Sequence, residues 1–168
     1  MEKCRSDLWR LKVSISTKQN TEAHTLKSDI QDVYDSICKA FSEMDIDAVL
    51  GYFADHEDMV KISNGLVFRG KKQLADGWRR RLENISGLRI RIDNIQVHRI
   101  DENHAWATAD EYISVDEHTQ KAIVSNIFIS VESEWKILLD HTTYVPSEIT
   151  GSAFSLSPRA ALQADFPG

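Results

Sequence analysis

The residues best suited to chemistry are one carboxylate and one imidazole, Asp110 and His141, in two segments with the alternating pattern of β-strands. A carboxyl group buried beside aromatic side chains has its pKa raised by desolvation, and a nearby imidazolium lowers it again. Either group could then transfer a proton at neutral pH. The pair therefore predicts acid–base chemistry if both side chains face the interior. The alternative is that Asp110 faces solvent and His141 is an ordinary strand residue.

The segment Glu134–Tyr144 positions His141. Because side chains alternate along a strand, each face takes every second residue. The more apolar face is predicted to pack against the core and to end in a wetter pocket. It carries Trp135, Ile137, Leu139, His141 and Thr143, whereas Lys136, Leu138, Asp140, Thr142 and Tyr144 lie on the opposite face.

The segment His104–Ser114 positions Asp110. The face we predict to be inside mixes aromatic and polar residues, as a pocket wall does. It carries Trp106, Thr108, Asp110, Tyr112 and Ser114, whereas the other face, Ala105, Ala107, Ala109, Glu111 and Ile113, suits flat packing or a dimer surface. The next strand offers a similar mixed set in Val124, Asn126, Phe128 and Ser130.

Three helices are predicted before these strands from apolar residues at three- and four-residue steps. They run from Ser28, a plausible N-cap, to Met44, from Ile46 to Phe53 after the N-cap Asp45, and from Lys71 to about Ile85. Tyr34 and Trp78 fall on the buried stripes of the first and third helices. Each is either an aromatic core residue or part of a pocket wall.

The remaining strands are predicted from turn sequences and from apolar residues at every second position. Asn64-Gly65 predicts a tight hairpin between strands Met59–Ser63 and Leu66–Arg69. Four long strands then begin near Leu88, with a bulge expected at Asp93-Asn94. The order predicts an α+β fold with three N-terminal helices packed on one face of an antiparallel sheet.

Composition excludes several classes of function. The net charge of −6 argues against nucleic-acid and anionic-membrane partners, although it does not exclude a local basic patch. Six histidines and two isolated cysteines show no metal-ligand spacing, and no glycine-rich phosphate loop is present. We therefore expect no metal and no cofactor. Because no apolar run reaches the ~18 residues of a membrane helix and the N-terminal segment lacks the apolar core of a secretory signal, we also expect a cytoplasmic location. The basic cluster in the third helix, Lys71, Lys72, Arg79, Arg80 and Arg81, is interpreted as a solvated face.

The 168 residues suit one domain with two tails. Residues 1–26 are predicted to be a flexible leader, 27–145 the folded domain, and 146–168 a C-terminal tail.

Three stretches, in order, resemble the nuclear transport factor 2-like, or SnoaL-like, superfamily. Phe41–Asp55 resembles that family's helix pair, and Asn64–Leu74 resembles its hairpin, Arg-Gly step and third helix. Glu134–Thr143 resembles its last strand, in which Trp-Lys-Ile precedes alternating polar residues. The similarity covers about Leu26 to Val145.

The resemblance implies a cystatin-like α+β barrel, in which three helices and a curved antiparallel sheet enclose a conical pocket. It also implies a homodimer that pairs through the sheet. The family includes polyketide cyclases, ketosteroid isomerases, dehydratases, ligand binders and assembly domains such as the calcium/calmodulin-dependent kinase II association domain, so the fold leaves the function open.

Some positions depart from the family's patterns. Leu139 stands where the first histidine of the last strand is common, whereas His141 keeps the second. The first hairpin strand contains Lys61 but no carboxylate, which argues against steroid-isomerase chemistry. Asp110 and Asn126 would stand where kinase association domains place pocket arginines, so the pocket would lack that basic character.

The sequence thus predicts a protein that binds a small apolar or aromatic ligand in an internal pocket. Its ligand-binding residues would be Tyr34, Trp78, Trp106, Tyr112, Asn126 and Thr143. If the protein is an enzyme, the expected chemistry is cofactor-free cyclisation, dehydration or isomerisation, with Asp110 as acid or base and His141 assisting. The alternative is a non-enzymatic dimerisation, assembly or regulatory module of the same fold.

Overall fold

The computed structural model of the protein describes residues 24–146. It contains three helices and a six-stranded sheet: two helices come before the first strand in the chain, and the third follows the first two strands. The helices are α1 (residues 24–42), α2 (Ile46–Gly51) and α3 (Gly70–Leu82). The strands are β1 (Val60–Ser63), β2 (Leu66–Arg69), β3 (Arg89–Arg99), β4 (His104–Val115), β5 (His118–Val131) and β6 (Glu134–Tyr144). The predicted α+β class, with helices packed on one face of a curved sheet, is confirmed. The predicted leader and tail lie largely outside the described residues.

The apolar stripe of α1 starts earlier than predicted. Residues 24–27 are already helical, so Ser28 is not an N-cap. Leu26 is 3% exposed and stands four residues before the fully buried Ile30, so it extends the stripe by one turn. The helix stops before Met44, whose φ of +57° is left-handed.

The short helix α2 begins as predicted and ends early. Asp45 caps it by accepting a hydrogen bond from the Ala48 amide at 2.9 Å. Phe53 leaves the helix because the backbone here joins β6: the Ala54 amide donates to the Ile137 carbonyl at 2.8 Å. The third helix likewise ends at Leu82 rather than at Ile85.

The strand order is β2-β1-β6-β5-β4-β3. The hairpin at Asn64-Gly65 is confirmed, with φ values of +50° and +81°. The meander from β3 to β6 is antiparallel, as predicted. One pairing differs from the predicted antiparallel sheet, because β1 lies parallel to β6, with Lys61 opposite Asp140. Among the described residues, none of the helices combines the length and apolar character needed to cross a membrane.

Two bulges set which residues face the helices. The predicted bulge in β3 is confirmed, because the register shifts between Asp93 and Gln96. A second bulge lies in β6, where Ile137 pairs with Phe128 and Leu139 pairs with Ile127, which leaves Leu138 as the extra residue.

The bulge at Leu138 corrects the predicted faces of β6. Ile137 is buried as expected, but beyond the bulge the buried residues are Asp140 and Thr142, at 8% and 3% exposure. His141 and Thr143 are exposed on the outer face. One extra residue shifts a period-two pattern by half a period, so every later side chain changes face.

The predicted faces of β4 are also reversed. Ala105, Ala107 and Ala109 are buried against the helical layer, at 4% exposure or less, whereas Trp106 on the opposite face is 41% exposed. Small side chains let helices approach the sheet closely, so the alanine face is the one that packs. The placement of Asp110 and Tyr112 inside was therefore wrong. On β5 the predicted inner set is correct, with Val124, Asn126 and Phe128 buried.

Candidate functional site

Six polar side chains gather on the helix-facing side of the sheet and are called the inner-face cluster. Strand register explains their proximity, because paired residues of neighbouring strands share a face. Asn126 of β5 is paired with Asp140 of β6, which is paired in turn with Lys61 of β1. The cluster consists of Tyr34, Lys61, Glu111, Asn126, Asp140 and Thr142.

An ion pair lies at the centre of the inner-face cluster. The Nζ atom of Lys61 is 2.7 Å from Asp140 Oδ2, and the two side chains are 12% and 11% exposed. Thr142 accepts a hydrogen bond from Lys61 Nζ at 3.2 Å and donates to Asp140 Oδ1 at 3.1 Å. Because both carboxylate oxygens of Asp140 are occupied, this group is an anchor for Lys61 rather than a free base.

Tyr34 and Asn126 form the second contact of the inner-face cluster. The tyrosine hydroxyl donates to Asn126 Oδ1 at 2.7 Å, and Asn126 is 2% exposed. Burial, followed by the negative charges of Asp140 and Glu111, raises the pKa of Tyr34 well above its usual range. Tyr34 therefore stays a neutral hydrogen-bond donor at any physiological pH.

Glu111 is the carboxyl group of the inner-face cluster that is not held by a hydrogen bond or an ion pair within the described residues. It lies on β4 opposite Ala122, which pairs with Tyr144, so the three residues form one row across the sheet. Glu111 is partly exposed, and no hydrogen bond or ion pair to its carboxylate is formed within residues 24–146. Burial raises its pKa to about 7; Asp140 adds to the rise, whereas Lys61 and Arg81 oppose it. Glu111 can therefore both accept and donate a proton near neutral pH.

Two further side chains near this cluster are less suited to chemistry. Cys38 of α1 has its pKa raised to about 12, mainly by burial and then by the charge of Glu111, so its thiol is not a ready nucleophile. Trp78 is 9% exposed and packs edge-on against Phe41 and Phe53, with ring centroids 5.2 and 5.4 Å away. Lys61 Nζ lies 5.9 Å from the Trp78 ring centroid, so this ring borders the ion pair as well as the core.

The two residues predicted to carry catalysis both lie on the outer face. The Asp110 carboxylate accepts a hydrogen bond from Asn94 at 2.7 Å and is 3.0 Å from Lys121 Nζ, and these contacts lower its pKa. His141 is exposed on β6, and strand β5 separates it from β4. The structure does not bring the two residues together, and a catalytic role for them stays an untested prediction.

The other predicted ligand-binding residues divide between the two faces. Tyr34, Trp78 and Asn126 lie on the inner side, as expected. Trp106, Tyr112 and Thr143 lie on the outer side: Trp106 stacks on His98 at 5.1 Å, and Tyr112 lies beneath the Arg91 guanidinium at 4.2 Å.

Sequence reasoning missed four members of the inner-face cluster as site residues: Lys61, Glu111, Asp140 and Thr142. Glu111 continues the alternation of three alanines, and a run of small residues at period two is a sign of a sheet face beneath helices. No comparable sequence signal marks the bulge at Leu138, on which the inward position of Asp140 depends.

A surface groove of about 450 Å³ lies elsewhere, at the loop between α1 and α2 and the end of α3. It is lined by Met44, Ile46, Arg79, Arg80, Leu82 and Glu83, none of which belongs to the inner-face cluster. This groove is not the predicted internal pocket, which stays a prediction. Within the described part of the chain, no group of three or more histidine, cysteine or acidic side chains is arranged to hold a metal ion.

Comparison with protein families finds a match to the SnoaL-like domain over residues 30–146. No curated protein sequence matches the chain. Among solved structures, a protein from Streptomyces avermitilis assigned as a dehydratase of the NTF2-like family has 14% identity and a TM-score of 0.65, over 74% of this chain and 99% of its own.

Two further solved structures share the fold. An NTF2-like protein of unknown function from Pseudomonas putida has 16% identity and a TM-score of 0.64, over 76% of this chain and 91% of its own. A protein from Thiobacillus denitrificans assigned as a calcium/calmodulin-dependent protein kinase type II association domain has 18% identity and a TM-score of 0.61, over 69% of this chain and 94% of its own. At these identities the likeness shows the fold alone.

Proposed function

Because the chain belongs to the SnoaL-like family, we propose that it binds a small molecule against the inner face and transfers a proton within it through Glu111. The observation that carries this proposal is the state of the Glu111 carboxyl group. It lies on the face covered by helices, accepts no hydrogen bond from the described residues, and has a pKa raised to about 7. A structural carboxylate is normally paired or solvated, as Asp110 is.

The proposed step is removal of a proton from a carbon next to a carbonyl group. The C–H bond breaks, the proton passes to Glu111, and the electron pair moves onto the carbonyl oxygen as an enolate. In a β,γ-unsaturated substrate Glu111 then returns the proton to the γ-carbon as the double bond moves to the α,β position, which gives isomerisation. In a substrate with a β-hydroxyl group, the enolate re-forms the carbonyl and expels that group, which takes the proton from Glu111 and leaves as water, which gives dehydration. Both routes balance without an external oxidant or cofactor.

The Lys61 ammonium group is proposed to stabilise the developing enolate oxygen. An ammonium group carries three N–H donors, and Asp140 and Thr142 engage two of them. The third can donate to the enolate in a site from which water is largely removed, where such a hydrogen bond is stronger than in water. Asp140 holds Lys61 in position, and Tyr34 with Trp78 supplies apolar surface for the ligand.

A measurement that needs no substrate tests the first half of the proposal. Titration of the Glu111 carboxyl carbon by ¹³C NMR should give a midpoint near pH 7, because burial disfavours the charged form. The neighbouring Asp110 is the matched control and should titrate below its ordinary value of 3.8. A Glu111 midpoint below pH 5 would contradict the proposal.

Hydrogen exchange tests the second half. The enolisable aromatic ketones 2-tetralone and 2-indanone, incubated with protein in D₂O, should lose their α-proton NMR signals faster than in buffer alone. Glu111→Gln should slow this exchange by about 100-fold or more, the usual effect of losing a general base. Asp110→Asn on the outer face should leave it unchanged. If Asp110→Asn slowed the exchange and Glu111→Gln did not, the proposal that proton transfer occurs on the inner face would be wrong.

A second candidate function is assembly of two copies through the outer face. Trp106 and Ile123 are 41% and 49% exposed there on two neighbouring strands, and large apolar side chains on an open sheet face favour an interaction surface. Light scattering at micromolar concentration should then give the mass of a dimer, and Ile123→Lys should give a monomer with an unchanged circular dichroism spectrum. A wild-type monomer would contradict this candidate.

A further inference from the structure

We infer that the ligand of the inner-face cluster carries a carboxylate, which binds the Arg81 guanidinium where β6 ends beside α3. This inference deepens the proposed function and rests on the ligand being held within reach of Glu111. It names the substrate class as small apolar ketones that also carry a single carboxylate, such as aromatic or cyclic keto acids.

The first support is the contrast between two arginines of α3. Arg79 forms an ion pair with Asp47, with Nη2 2.6 Å from Oδ1. Arg81, two residues later, has no carboxylate within ion-pair distance in the described part of the chain. Its Nη2 atom is 3.5 Å from the Tyr144 hydroxyl, at the limit of a hydrogen bond. A guanidinium group has five N–H donors in a fork that fits a carboxylate, so Arg81 retains most of its binding capacity.

The second support is the row that links Arg81 to Glu111. Tyr144, which Arg81 touches, belongs to the same row across the sheet as Ala122 and Glu111. Adjacent strands lie 4.7–4.9 Å apart, so the Cα atoms of Glu111 and Tyr144 are about 10 Å apart. Glu111 and Tyr144 are both only partly buried, and Arg81 is exposed. One small molecule bound beside Glu111 and Tyr144 can therefore contact both Glu111 and Arg81.

The third support is electrostatic coupling between the two ends of this row. The charged and titratable groups that face Glu111 are Lys61 of β1, Asp140 of β6, Arg81 of α3, and Tyr34 and Cys38 of α1. Arg81 lowers the pKa of Glu111. A bound carboxylate cancels part of the Arg81 charge, so the pKa of Glu111 rises further above about 7. Binding at pH 7 should therefore take up a proton.

Calorimetry with 1-naphthylacetate and its neutral amide tests the inference. Titrations at pH 7 in two cationic buffers of different ionisation enthalpy avoid competing buffer anions and report the protons taken up. We expect the acid to bind at least tenfold more tightly than the amide, with net proton uptake. Arg81→Gln should weaken binding of the acid about 10- to 100-fold, as expected for hydrogen bonds to a charged group, and should leave the amide unaffected.

The matched controls are Arg79→Gln and Glu111→Gln. Arg79→Gln removes a similar charge from the same helix and should not change binding. Glu111→Gln should retain binding of the acid but lose the proton uptake. Equal melting temperatures for the Arg79→Gln and Arg81→Gln proteins show that the weaker binding is not a folding defect.

Two outcomes would overturn the inference: no detectable binding of the acid at millimolar concentration, or equal binding of acid by the wild-type and Arg81→Gln proteins. These outcomes differ from failure of the proposed function. If ketone exchange still depends on Glu111 while Arg81→Gln has no effect, the anion site alone is wrong. If the Glu111 carboxyl titrates below pH 5, the proton-transfer function is wrong whatever Arg81 binds.

Discussion

Asp110 and Glu111 are consecutive residues of one strand, yet their carboxyl groups lie on opposite faces of the sheet and in opposite chemical states. Asp110 faces outward, contacts Asn94 and Lys121, and has a lowered pKa. Glu111 faces the helices, lacks a hydrogen-bond donor among the described residues, and has a pKa raised to about 7. The comparison shows that the face of the strand, rather than the residue type, determines which carboxylate can exchange protons at neutral pH.

The largest effect should follow from shifting the alternation that orients the inner-face cluster. Insertion of one alanine between Leu139 and Asp140, beyond the bulge, would turn Asp140 and Thr142 outward, with His141 and Thr143 inward. Because the buried ion pair would be lost, we expect no cooperative unfolding transition in urea. Deletion of Leu138 instead leaves Asp140 opposite Asn126 in a regular strand and should still unfold cooperatively. An insertion variant that unfolds as the wild type does would contradict the role given to the alternation of β6.

The next largest effect should come from leaving a buried charge without its counter-ion. Lys61→Met leaves the Asp140 carboxylate, at 11% side-chain exposure, without its cation. We expect the free energy of unfolding to fall by about 3–5 kcal/mol. On the outer face, Lys121→Met removes the cation from Asp110, whose side chain is more exposed, and should cost far less because solvent screens this ion pair. Urea denaturation of both variants measures the difference, and equal losses would refute the contrast between the faces.

A smaller effect is expected from the Tyr34 hydroxyl. Tyr34→Phe removes the donor to Asn126 Oδ1 and leaves that buried oxygen unsatisfied, which should cost about 1–3 kcal/mol. The double variant Tyr34→Phe with Asn126→Val should cost less than the sum of the single variants, because the polar group is removed with its donor. Additive losses in urea denaturation would show that the two groups are not coupled.

The subtlest test is the pH dependence of stability. Glu111 binds its proton more tightly in the folded state, so its contribution is present below pH 4.5 and is lost as pH rises towards about 7. Asp110 acts in the opposite direction: its lowered pKa stabilises the fold above about pH 3.8, and this contribution is lost in acid. Relative to wild type, Glu111→Gln should therefore gain stability between pH 4.5 and 7.

The controls for this profile use the same denaturation experiment. Asp110→Asn should differ from wild type in its pH slope only below about pH 4. If Glu111→Gln had the same slope as wild type between pH 4.5 and 7, Glu111 would not be a desolvated carboxyl group.

Much of the architecture could be predicted from the sequence because periodicity and turn chemistry are local signals. The helix stripes, the Asn64-Gly65 hairpin, the bulge at Asp93-Asn94 and the meander are all confirmed. The burial of Asn126 also followed from the alternation on β5. These features depend on the nearest few residues in the chain.

The site could not be predicted to the same extent because it depends on non-local pairing. The polar and aromatic face of His104–Ser114 has the composition of a pocket wall, but the alanine face packs against the helices. The bulge at Leu138 arises from pairing with β5, and the position of Lys61 beside Asp140 arises from the parallel pairing of β1 with β6. A cytoplasmic location and the absence of a cofactor remain predictions.

The pairing of β1 with β6 also determines when this protein can acquire its site during synthesis. Lys61 and Asp140 are 79 residues apart, and their two strands are neighbours in the sheet. Translation supplies about 5–20 residues per second, so the hairpin emerges several seconds before the strand that receives it. Throughout that interval Lys61 has no counter-ion and the β1 edge is unpaired. We therefore expect the nascent chain to depend on late closure by β6, and ribosome-bound chains that stop before residue 134 to bind chaperones.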